Sequence, residues 1–203
     1  MAPSQMRWPT RQDCQNAAST GLRLSAAIAP LFLLAYGVLR LVDGADGEHG
    51  PGIAWNIGHT LFLLSFIAFS VLIVGLRRQA LLTTTGRRRV VTDAAVLSGM
   101  AGVCSFLWVI IGDLFPPLTA HVSLPDPLYA AGPVLFQLGL MTLLVQLVVS
   151  RPRQLAVWSP PMVFLGFAPI AVDLDLLPVG AVLILCGLAQ LASSTPRGRG
   201  LPR

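Results

Sequence analysis

Four side chains in this sequence bring together chemistry that a lipid-facing segment does not need: Tyr36, Arg40, His59 and Asp113. Tyr36 and Arg40 are four residues apart, so a helix puts them on one face, a turn from each other. His59 belongs to a row of Trp55, His59, Phe62, Phe66 and Phe69, whose alternating steps of four and three make one stripe of an α-helix. Asp113 closes a second helical row, of the small residues Ala94, Ser98, Gly102 and Ser105 and then Val109. Small-residue faces are where membrane helices approach closely, which points Asp113 inward. Histidine takes up and gives back a proton near neutral pH, and arginine fixes a carboxylate or an anionic head group. Together the four would line a cavity for an anionic head group, a proton or a cation. If the protein is an enzyme, His59 or Asp113 is the proton donor.

Each residue also has a plainer use. Arg40 can pair with Asp43 and reach the interface, and His59 can be a hydrogen bond between helices. Asp113 can be a solvated acid at a helix end, and the aromatic stripe can be packing. Depth along the helices places Arg40 and Asp113 near the same boundary, with Tyr36 and His59 about one turn deeper. An Arg40–Asp113 pair is the expectation that follows.

The elements that must position these residues are set by composition. Of the 203 residues, 54% are hydrophobic and only 11% charged, where soluble domains carry about 25% charge. The apolar residues come in long blocks, and a bilayer is the solvent that accommodates them. Backbone in hydrocarbon must bond internally, as helices or as strands of a closed barrel. The blocks are about twice the length of a barrel strand and do not alternate in polarity, so they are helices. The expected fold is an all-α integral membrane protein, a bundle of six transmembrane helices over about 22–42, 52–76, 91–113, 127–150, 154–172 and 176–194. Polar tails, 1–21 and 195–203, flank it. The block 154–172 is the weakest span, because Pro160, Pro161 and Pro169 interrupt its hydrogen-bond ladder. Thr92 and Asp93 read as capping residues of the third helix.

All 14 basic residues are arginine. Six crossings put every one but Arg40 on the same side, and the positive-inside rule makes that side cytoplasmic, giving an N-in, C-in topology. The opposite loops hold Asp43, Asp46, Glu48, Asp113, Asp126, Asp173 and Asp175. Absence of lysine beside abundant Ala, Leu, Gly and Pro is the bias of a GC-rich bacterial genome, so the expected location is a bacterial plasma membrane. Arg77, Arg78, Arg87, Arg88 and Arg89 would then face the inner leaflet and attract anionic lipids. The dispersed basic residues give no nucleic-acid surface.

The sequence lacks H-E-x-x-H, G-x-S-x-G, a Walker loop and D-D-x-x-D, and Glu48 is the only glutamate. No C-x-x-C or His/Cys cluster occurs, so neither a metal nor a cofactor is expected. Cys104 and Cys186 read as small buried hydrophobes. The layout resembles that of many small six-helix membrane proteins of GC-rich bacteria, a likeness of hydropathy and loop charge that transfers no activity. The reading that follows is a non-catalytic transport-like, sensory or assembly component, with room for a lipidic or small-molecule ligand and a membrane-protein partner. The alternative is a membrane-embedded enzyme on a lipid or isoprenoid substrate, a class that small intramembrane cyclases and transferases resemble in size and scarcity of acids.

Overall fold

A computed structural model describes residues 11–46, 50, 52–119 and 125–193. Among them there is no strand. The long helices are α1 (Arg11–Asp43), α2 (Ile53–Leu81), α3 (Arg87–Leu114), α5 (Asp126–Val149) and α7 (Leu177–Ser193), with a short turn of helix, α4 (Pro116–Thr119), and a 14-residue helix, α6 (Ser159–Val172). Two 3-10 turns, Gly44–Asp46 and Leu174–Leu176, follow α1 and α6. Five stretches are long and apolar enough to cross a membrane: Ser19–Asp43, Ile53–Leu81, Arg87–Leu114, Tyr129–Val149 and Leu174–Ser193. That is the make-up of a multi-pass membrane protein.

The surface agrees with a lipid environment. Ile57, Leu64, Ile67, Val71 and Val74 recur along one outward face of α2, all exposed, while Ser65, His59 and the phenylalanines Phe66 and Phe69 turn inward. In water such a face would be an aggregation liability.

Neighbouring helices run α1–α2, α2–α3, α3–α5, α6–α7 and α7–α1, with α2 also reaching α5, so the bundle is a ring whose α5/α6 seam is only lightly joined. Small residues set the two closest crossings. A Cβ on Gly139 of α5 would collide with the backbone of Ala95 and Gly99 on α3, and one on Gly180 of α7 would collide with the carbonyl of Gly166 on α6. Hydroxyls then bond across the helices: Ser65 donates to the Ala29 carbonyl at 2.8 Å, Ser98 to that of Leu135 at 2.8 Å, and Ser159 to that of Gly187. Without a hydrophobic force between helices in lipid, such contacts carry the association.

Several boundaries differ from those read off the sequence. α1 begins at Arg11, inside the stretch expected to be a polar tail. α2 runs on to Leu81 and α3 starts at Arg87, leaving only residues 82–86 between them. Gly86, at φ 56°, makes the turn into α3 in a left-handed conformation that glycine adopts without strain. Arginine is a good helix former, so charge ends the hydrocarbon-spanning part of a helix without ending the helix. At 29 and 28 residues, α2 and α3 are about 44 and 42 Å long, well beyond the ~30 Å of hydrocarbon. Thr92 and Asp93 consequently lie inside α3 and do not cap it. Thr92 bonds back to the Arg88 carbonyl at 2.9 Å, and Asp93 takes Arg77 of α2 at 2.8 Å. Cys104 and Cys186 are exposed, not buried.

The block 154–172 is helical only from Ser159. Pro160 and Pro161 stand in its first turn, where a missing N–H costs nothing. Fourteen residues reach about 21 Å, too short to cross alone. The preceding irregular segment has bonded backbone all the same: Gln154 N donates to Leu147 O at 3.1 Å, and Ala156 N to Gln190 Oε1 at 2.7 Å.

Candidate functional site

The polar cluster forms where α1 ends, α2 begins and α3 ends. The Trp55–Phe69 stripe faces the ring interior, away from the exposed row of Ile57, Leu64, Ile67, Val71 and Val74, and this brings His59 inside with a side chain 4% exposed. Tyr36 of α1 meets it edge-on, ring centres 5.3 Å apart at 70°. Trp55, one turn earlier, lies over the imidazole at 4.0 Å. Tyr36 also stacks on Phe62 at 4.3 Å and 12°. The histidine ring is thus held by aromatic walls on both sides.

Its two nitrogens have fixed roles. Nδ1 lies 2.9 Å from the Trp55 carbonyl oxygen. A carbonyl only accepts, so Nδ1 carries a hydrogen and donates it. Nε2 then faces Asp113 Oδ2 at 3.6 Å. With Nε2 bare and Asp113 ionised, a lone pair would face a carboxylate, which repels. The contact is favourable when one proton lies between them, either on Nε2 as imidazolium or on the carboxyl group. Asp113 is 44% exposed, so the pair has a dry end at His59 and a wet end at Asp113.

Arg40 does not pair with Asp113. Its Nε donates to Asp175 Oδ1 at 3.2 Å, tying α1 to the turn before α7. That turn is itself fixed by Asp173, whose Oδ1 accepts from Asp175 N at 2.9 Å. The expected Arg40–Asp113 contact fails because α1 neighbours α2 and α7 in the ring and does not touch α3. Tyr36, Arg40 and His59 do share a pocket with Asp43, Trp55 and Gly58, of about 10 Å³, which is room for a single water. Asp113 meets His59 from its other side. Asp43 Oδ2 is buried there without a hydrogen-bond partner, so the local Arg40–Asp43 pairing does not use it.

Sequence reasoning missed Asp175 as a member of the site and took Trp55 only as part of a stripe. A lone arginine at an otherwise acidic end was a signal that some distant carboxylate must meet it. Which one depends on helix order, and that is not written in local spacing. Asp46 has no described side chain, and Glu48 lies outside the described residues.

Below the pair the interior is aromatic. Phe62 and Phe66 of α2, Phe106 of α3 and Phe136 of α5 pack ring on ring, with Phe66 and Phe106 stacked at 4.1 Å. Phe69 and Phe167 continue the cluster. Phe66, Phe69 and Phe136 are buried, so the centre onward from His59 is packed with aromatic rings. At the opposite end Arg77 is engaged by Asp93, while Arg78, Arg87, Arg88 and Arg89 are exposed.

No family model, curated protein or solved structure matches this chain.

Proposed function

We propose that this is a non-catalytic sensory component of a bacterial plasma membrane whose working site is a one-proton pair, His59 with Asp113. The observation that carries the reading is the commitment of His59 Nδ1 to the Trp55 carbonyl, which leaves Nε2 facing a carboxylate. The pair joins α2 to α3 while it holds its proton and repels when it loses it. The charged and titratable groups around it are Tyr36, Arg40 and Asp43 of α1, with Asp175 held by Arg40. The dry aromatic cluster favours sensing over conduction. It also disfavours the enzyme reading, since neither His59 nor Asp113 is among the residues that line the large apolar cavity beside α5 and α6.

Nitrogen-15 NMR of histidine-labelled protein tests this. Nδ1 of His59 is expected to be protonated, and Asp113→Asn should move the Nε2 resonance while leaving that of Nδ1 in place. A bare Nδ1, or an Nε2 resonance indifferent to Asp113→Asn, would overturn the proposal.

The same reading takes six crossings with both termini in the cytoplasm. Support comes from the segregated arginines and from the way residues 154–158 continue from α6 along α7 toward Gln190, with Gln154 N and Ala156 N hydrogen-bonded. Arg78 and Arg87–Arg89 would face anionic lipids of the inner leaflet. Reporter fusions after Leu82, Arg153 and Arg203 should score cytoplasmic, and fusions after Glu48, His121 and Asp175 external. An external score at Arg203 would mean that α6 does not complete a crossing.

A further inference from the structure

The proton shared by His59 and Asp113 can sit in two places, and the surroundings of the imidazole distinguish them. On the carboxyl group it would hold the pair together only through a hydrogen bond to Nε2. The 3.6 Å between Nε2 and Asp113 Oδ2 is too long for one. Coulomb attraction falls off more gently with distance, so an imidazolium and a carboxylate still attract across that gap. The neighbouring charges agree. Among the described residues, the carboxylates of Asp43, Asp113 and Asp175 stand here against the guanidinium of Arg40, with Tyr36 adding a hydroxyl. A second cation among them reduces the excess of negative charge.

Burial strips an imidazolium of its hydration, so it needs replacement partners. Trp55 gives it two. The Trp55 carbonyl oxygen takes the Nδ1 hydrogen at 2.9 Å. Its indole lies over the imidazole, ring centres 4.0 Å apart and planes 35° from parallel. The face of an aromatic ring is the negative side of its quadrupole, and tryptophan attracts a cation best. The separation is well inside the ~6 Å over which that attraction acts, and it is strongest where water is excluded. The His59 side chain is only 4% exposed. Any residue at position 55 would offer the carbonyl, so the indole face is what tryptophan adds.

We propose that Trp55 is a positioning residue that seats the proton on His59 Nε2, making the pair an imidazolium beside a carboxylate with the indole face as a further partner of the cation. This rests on the one-proton reading of the pair and adds where the proton lies and what keeps it there.

The test places mono-, di- and trifluorotryptophan at position 55 of the full chain by nonsense suppression. Fluorine drains the negative face of the indole while nearly preserving its shape, so a tryptophan that only fills space would not respond. In nitrogen-15 spectra of histidine-labelled protein in detergent, Nε2 should resonate as a protonated nitrogen when position 55 is unmodified. Each added fluorine should shift it further toward the position of a bare nitrogen, with Nδ1 still protonated. A bare Nε2 in the unmodified chain would put the proton on Asp113 and overturn the proposal. So would an Nε2 resonance indifferent to fluorination. In both cases an Nε2 that still responds to Asp113→Asn would leave the one-proton pair standing, which separates this failure from failure of the pair itself.

Discussion

Gly139→Leu should destabilise the bundle by about 3 kcal/mol or more, read as a lower midpoint of thermal unfolding in detergent. Overpacking usually costs 1–3 kcal/mol when side chains can give way. Here the obstacle is backbone, since a Cβ at position 139 meets Ala95 O and Gly99 N of the facing helix. Relief requires α3 and α5 to separate, and the Ser98–Leu135 bond across the same crossing would be lost with them. Gly21→Ala in α1 is the control, because a Cβ there meets nothing within 4 Å. It removes a flexible residue from a helix interior and should be neutral or stabilising by up to ~1 kcal/mol. Equal effects at the two positions would show that the α3/α5 crossing is looser than its geometry.

The contrast between these glycines bears on what could be read from the chain itself. Helical stripes were legible: the Trp55–Phe69 row faces inward, and the small residues of α3 do meet another helix. Both follow from periodicity, which local spacing fully records. Helix order was not legible, and the site depends on it. The acid that meets Arg40 is 135 residues away, and only the placement of α7 beside α1 makes Asp175 nearer than Asp113. Helix ends were misjudged for a related reason. Charges mark where hydrocarbon stops, whereas α2 and α3 continue through the interface on residues with good helix propensity. The block 154–172 shows the converse, an apolar run in which a proline pair delays the helix to Ser159.

His59→Ala should cost about 3 kcal/mol, as truncation of a buried ring does when its walls cannot collapse. Those walls are the Tyr36 and Trp55 rings, and Tyr36 is pinned in turn against Phe62. Most of that loss is packing, so the alanine variant alone does not measure the proton pair. Asp113 is 44% exposed, and an ion pair with one wet end is worth about 1 kcal/mol at most. A double-mutant cycle of His59→Ala and Asp113→Ala should therefore give a coupling of about 1 kcal/mol inside much larger single effects. That coupling should depend on pH in a defined direction. While the pair holds its proton the contact is attractive and the coupling stabilising. Once the proton is removed, an Nε2 lone pair faces a carboxylate, and the coupling should fall to zero or change sign. Asp113→Asn separates the two cases in another way, since an amide can donate its N–H to a bare Nε2 and accept through its oxygen from a protonated one. This variant should keep near-native stability and lose the pH dependence. Coupling that is absent at every pH would return His59 to a packing role between Tyr36 and Trp55. The link between α2 and α3 would then rest on the Arg77–Asp93 pair, the aromatic cluster and packing such as that of Ile73 on Gly99.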